Sequence, residues 1–198
     1  MIAASTAHAA TQSYLFIMNG PSENPPNAST GTATGTAIYD DVAGTLALTA
    51  TFAGFQGNVT QTHFHGVTSV SGRPDNNPVG ETPNQAAAAV PNASIAIGNT
   101  TIPGFPLGVK SGVFANTLNL NDTSIYRTDF INANGGTVAG ARAAFVGSLA
   151  SGRTYWNIHS SSFGGGEVRG FPVLIPEPAT TGLMGLSLAA LAIQRRRK

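Results

Sequence analysis

No cysteine occurs in the 198 residues. Disulfides, thiolate nucleophiles and sulfur-ligated metals are therefore excluded, and the fold has to rest on packing alone. Charge is scarce too: Asp, Glu, Lys and Arg together make up 10% of the chain. The formal net charge of +1 hides an asymmetry, because four of the ten cations are the last four residues. Residues 10–176 carry six Lys/Arg against eight Asp/Glu, a balance of −2. That stretch offers no basic patch for a phosphate backbone, so nucleic acid is not an expected partner. Also missing are a Gly-x-Ser-x-Gly elbow, a phosphate-binding loop and a His-Glu-x-x-His pair, which sets aside the hydrolases, nucleotide binders and metalloproteases those motifs mark. Gly164-Gly165-Gly166 falls between strand-like segments and not before a helix, so it reads as a turn. What is plentiful is Gly, Thr, Asn, Ala and Ser, a balance that suits an extracellular, turn-rich β protein.

Long apolar runs are absent except for one. Residues 179–193 (ATTGLMGLSLAALAI) carry no charge; Pro176-Glu177-Pro178 precede them and Arg195, Arg196, Arg197 and Lys198 follow closely. As a helix the run is about 22 Å long, short against a hydrocarbon core of roughly 30 Å. The cations hold its end on the cytoplasmic side, so everything N-terminal lies outside the cytoplasm. The prolines stop the helix from continuing upstream and leave an extended segment open to an enzyme. This three-part order resembles the PEP-CTERM sorting signal, which implies an exosortase as processing partner, transit through the inner membrane, and delivery to an envelope or exopolysaccharide matrix. At the other end, Ala7-His8-Ala9 before Ala10 is a small-x-small cleavage site. Residues 1–9 read as the remnant of a signal peptide, with the mature protein starting near Ala10.

Between these ends lie about 165 residues, enough for one domain that buries roughly 70% of its unfolded surface. Strand patterns cover 14–18, 32–39, 45–52, 59–65, 94–97, 109–114, 118–120, 155–159 and 167–174. In 45–52, Leu46, Leu48, Ala50 and Phe52 share one face and Thr45, Thr49 and Thr51 the other. Val138, Ala141, Phe145 and Leu149 recur at helical spacing and predict one helix over 138–149. The expected fold is mostly β: a Greek-key sandwich or barrel of short antiparallel strands with that one connecting helix, plus a C-terminal transmembrane sorting helix at 179–193.

Three segments then arrive in order: Gly20-Pro21-Ser22-Glu23-Asn24-Pro25-Pro26, Thr62-His63-Phe64-His65-Gly66, and Tyr155-Trp156-Asn157-Ile158-His159 with Gly166-Glu167-Val168-Arg169-Gly170. Together they resemble the CHRD domain, over residues 14–174 of a domain set at 10–175. The resemblance implies a β-sandwich-like fold and brings no established catalysis with it.

One constellation has chemistry in it. On a strand, His63 and His65 point to the face opposite Phe64, and His159 to the face opposite Trp156 and Ile158. If the apolar residues fill the core, three imidazoles gather outside the sheet, with Glu167 and Arg169 two apart on a nearby strand and Glu23 in the first motif. Such a set suits Zn(II) or Cu(II), whose affinity would fall as pH drops through about 6.5. It is similar to the copper site of copper/zinc superoxide dismutases, but the loop 66–91 has no histidine for a bridging or zinc ligand. The alternative is a hydrogen-bonded structural cluster of Glu23, Glu167, Arg169 and the histidines, Glu167 and Arg169 forming an ion pair, with no cofactor. The two readings are an exported structural or interaction module, or an exported metal-binding protein.

Overall fold

The computed structural model describes residues 11–72 and 89–176. The expected signal-peptide remnant at 1–9 and the expected sorting helix at 179–193 lie outside the described residues, as do Glu177, Pro178, Arg195, Arg196, Arg197 and Lys198.

Thr, Val and aromatic residues alternating with small ones give strands throughout. β1 (Thr11–Asn19), β2 (Thr32–Asp40) and β3 (Thr45–Ala53) are long; β2 and β3 pair along their whole length from Thr32–Ala53 to Asp40–Thr45. Their turn is closed by the Asp40 carboxylate, which accepts from the Ala43 N–H at 2.8 Å, and by Gly44 at φ +65°. β4 (Val59–Gly66), β5 (Ile95–Ile97), β6 (Gly112–Asn119), β7 (Thr154–Ser160), β8 (Val168–Gly170) and β9 (Pro172–Ile175) complete the set. The order across the sheet is β5-β4-β7-β8-β1-β2-β3-β6, with β9 also paired to β1. Every pairing is antiparallel, and the sheet curls into a half-barrel. Backbone bonds between Val59 and both Gly108 and Val109 draw the segment before β6 against the start of β4. The protein is mostly β, as its sequence predicts.

The concave side holds the core. Phe16, Phe64 and Trp156 meet there with ring centroids 4.8–5.8 Å apart. Gly35 lies beneath the Trp156 ring, where an added Cβ would sit 2.6 Å from Cζ3. The predicted helix spans Val138–Ala150, closes this side with Ala141, Phe145 and Leu149, and is capped by the Thr137 hydroxyl. It is numbered α2, because a short helix, α1 (Thr128–Ala133), precedes it.

Three sequence expectations change. The segments 109–114 and 118–120 meet in one strand, β6, which starts only at Gly112 and ends at Asn119. The 128–133 helix has too few residues to show a 3.6-residue period. The stretch 167–174 is broken at Phe171, which leaves the main core for a second small cluster with Val90 and Tyr155 on the opposite side of the sheet. No helix among the described residues is long and apolar enough to cross a membrane.

Candidate metal centre

β4 and β7 are adjacent, and their register decides the site. His63 stands opposite Asn157, His65 opposite Tyr155, and Gln61 opposite His159. Alternation sends Thr62 and Phe64 inward with Trp156 and Ile158; the Trp156 Nε1–H donates to the Thr62 hydroxyl at 2.8 Å. His63, His65, Tyr155, Asn157 and His159 therefore share the other face. The rings of His63 and His159 are 5.1 Å apart, those of His63 and His65 5.7 Å, and those of His65 and His159 6.4 Å. One ring nitrogen from each lies within 4.8 Å of one from each of the others.

The face is not open to solvent, contrary to the simple reading of the alternation. Segments before and after β5 and the 161–166 turn fold over it. His63 is 1% exposed and His159 7%, with His65 partly covered. The covering segments present carbonyl groups to the histidines. His63 Nε2 meets the Thr100 carbonyl at 2.9 Å, His65 Nδ1 the Ala93 carbonyl at 2.8 Å, and His159 Nδ1 the Gly164 carbonyl at 2.9 Å. A carbonyl oxygen only accepts, so each contact fixes the imidazole proton on that nitrogen. The remaining nitrogens are His63 Nδ1, His65 Nε2 and His159 Nε2, and each is a bare lone pair. His63 Nδ1 and His159 Nε2 face one another at 3.3 Å. His65 Nε2 is buried with no hydrogen-bond partner among the described residues.

A proton shared between two of the rings would need one of them to become a cation. Burial opposes this: it pushes the His63 imidazole down to about 4 and that of His65 to about 3, and it lowers His159 as well. At neutral pH the cluster is three neutral imidazoles, the lone pairs of His63 and His159 facing one another at 3.3 Å and one nitrogen of each ring within 4.8 Å of the others.

The acidic and basic residues named from sequence are buried but divided. Glu167 accepts from the Ser29 hydroxyl at 2.7 Å and the Gln56 N–H at 2.7 Å, tying down the segments on either side of β2 and β3. Arg169 donates to the Ser22 and Val90 carbonyls and to Asn92, and lies over the Tyr155 ring at 4.8 Å. The expected Glu167–Arg169 ion pair is not formed; Arg169 instead supplies a positive field to Glu23. Burial nonetheless pushes the Glu23 carboxyl up to about 8, and its Oε1 accepts from Asn157 Nδ2 at 2.6 Å. Pro176 is exposed at the end of the described chain.

Sequence reasoning missed the three carbonyls, which have no residue-type signal. It missed the Tyr155 ring stacked on His65 at 4.7 Å and 5°, although the two stand at one register position.

Residues 14–171 match the family model of the CHRD domain. The chain belongs to the CHRD family. Its last residues, 174–198, match the PEP-CTERM protein-sorting motif, which marks this CHRD protein as exported, processed by an exosortase and sent across the membrane toward the cell envelope. Neither is an enzyme family. No curated protein and no solved structure matches the chain.

Proposed function

We propose that this CHRD protein is an exported module of the envelope or extracellular matrix whose β domain, residues 10–175, holds one Zn(II) or Cu(II) ion on His63 Nδ1, His65 Nε2 and His159 Nε2. Three neutral imidazoles with one ring nitrogen each within 4.8 Å of the others carry the reading. Metal-binding histidines characteristically donate their other N–H to a carbonyl or carboxylate, which fixes tautomer and ring orientation, and all three rings here do so. Two nitrogens at about 2.05 Å from a tetrahedral ion are about 3.3 Å apart, which is the His63–His159 spacing. Neutral imidazoles without thiolates suit both ions, with copper the tighter binder. The test is metal analysis of the full chain, purified without a His tag, loaded with zinc or copper and dialysed. One ion per chain is expected, and a substoichiometric trace would refute the site.

The sorting tail supports the other half of the reading, with exosortase as processing partner and exopolysaccharide or envelope components as surroundings. Replacing Pro176-Glu177-Pro178 with three alanines is expected to leave an unprocessed precursor in the membrane fraction. An unchanged mature mass and location in that variant would contradict it.

A further inference from the structure

Three histidines leave a tetrahedral ion one open position, and the same face carries a buried polar residue that no ligand count includes. Asn157 sits on β7 two residues from His159, on the same face, and directly across from His63. It is 2% exposed, and its Oδ1 is buried without a hydrogen-bond donor among the described residues. A buried amide oxygen left unpaired is costly. Its orientation is held from behind. Asn157 Nδ2 donates to Glu23 Oε1 at 2.6 Å, which turns Oδ1 away from Glu23. Gly166, at φ +133°, presses on this pair: a Cβ there would lie 2.4 Å from Asn157 Nδ2 and 2.6 Å from Glu23 Oε1. Only glycine lets the 161–166 turn close so tightly, and the same turn supplies the Gly164 carbonyl that orients His159.

The face thus holds four hydrogen-bond acceptors and no donor among them: three imidazole lone pairs and one amide oxygen. A bare cation satisfies the imidazoles and leaves Asn157 Oδ1 as it was. A cation carrying a water molecule satisfies all four, because the coordinated water has two O–H groups to give. We infer that Asn157 is a positioning residue for the fourth ligand: its Oδ1 accepts a hydrogen bond from a water, or another small O–H or N–H donor, bound to the metal. The inference rests on the three-histidine reading. It deepens that reading by naming the ligand class of the open position, a small protonated donor, with Glu23 and Gly166 fixing the residue that recognises it.

The experiment titrates Zn(II) against a chromophoric chelator with the full, tag-free chain and with Asn157→Leu, Asn157→Ala and Asn157→Asp. It also records the Cu(II) electron paramagnetic resonance spectrum of each. Loss of a hydrogen-bonding partner just outside the ligand set typically costs 10–100-fold in affinity. The Leu and Ala variants are expected to bind zinc 10–100-fold more weakly and to show shifted copper parameters. Asn157→Asp, which keeps an acceptor oxygen in place, is expected to restore affinity to within a few-fold of wild type. Ala guards against a Leu variant that fails to fold, and the Asp rescue separates positioning from bulk packing. If wild type binds zinc and all three variants bind it equally with unchanged copper spectra, the inference is overturned while the three-histidine site stands. If wild type binds no zinc, the site itself is overturned and this inference with it.

Discussion

Zinc is expected to raise the unfolding temperature of the wild-type chain by about 5–10 °C and to leave that of His63→Ala and His159→Ala unmoved. A ligand that binds only the folded state at about 100 times its dissociation constant adds about 2.7 kcal/mol. In a domain of this size each kcal/mol moves the midpoint by about 2–4 °C. His63 and His159 hold the closest lone pairs of the site, at 3.3 Å, and two imidazoles do not replace three. The metal-free variants bear a separate cost, since His63→Ala strips the Thr100 carbonyl of its donor and His159→Ala does the same to Gly164. Thr100 and Gly164 are exposed residues, so water can replace the lost donor and the cost falls below the about 1–3 kcal/mol of a buried unpaired acceptor. Part of that is offset because two facing lone pairs are no longer opposed. The response to zinc, and not the baseline, therefore decides between a metal centre and a purely structural cluster. A wild type that ignores zinc, or a His63→Ala variant that responds as wild type does, would contradict the account.

The second large effect is a stability profile of the metal-free protein that falls on both sides of neutrality-to-mild-acid. His63 titrates near 4 and His65 near 3 in the folded chain because burial disfavours their cations. The unfolded chain takes up these protons near 6.5. Between those values the unfolded state binds more protons, so stability present above 6.5 is lost as pH falls through 4. At about 1.4 kcal/mol per pH unit for each group, His63 alone accounts for roughly 3 kcal/mol. Glu23 acts in the opposite sense. Its folded carboxyl keeps its proton up to about 8 through burial, whereas the unfolded chain releases it near 4.5. Its contribution is complete below 4.5 and is lost as pH rises through 8. Denaturant unfolding between pH 4 and pH 9 in the presence of a chelator should show a maximum at about pH 6.5, where the histidine and Glu23 proton terms cancel, and Glu23→Gln should flatten the alkaline limb. A profile with no alkaline decline in wild type would contradict the role given to Glu23. Burial also moves metal release: proton competition sets in toward pH 4 and not at the 6.5 that exposed imidazoles would give.

Much of this was legible in the chain. Strict alternation in residues 45–52 and in Trp156 and Ile158 placed the core face correctly, because a strand's period of two leaves no freedom once one face is apolar. The same alternation brought His63, His65 and His159 to one side. It could not reveal that this side is roofed over. The covering segments around β5 and at 161–166 are irregular, and what they contribute is backbone carbonyls, which every residue possesses. Glu167 and Arg169 looked like a pair from their spacing. In the fold, Glu167 closes on Ser29 and Gln56, more than a hundred positions away in sequence, and Arg169 closes on the Val90 carbonyl and Asn92. Such long-range partners follow from the order of strands across the sheet, which local pattern does not encode. The break at Phe171 belongs with these: it is set by the second cluster with Val90 and Tyr155, contacts that a run of strand-forming residues cannot announce.

The most direct test of the central claim is an anomalous diffraction measurement on crystals of the tag-free protein grown with zinc, with data collected on both sides of the zinc absorption edge. The account predicts a single strong anomalous peak bounded by His63 Nδ1, His65 Nε2 and His159 Nε2 at about 2.0–2.1 Å, with the Thr100, Ala93 and Gly164 carbonyls still holding the opposite ring nitrogens. Rings that keep their positions around no anomalous peak, or a peak elsewhere on the chain, would contradict it.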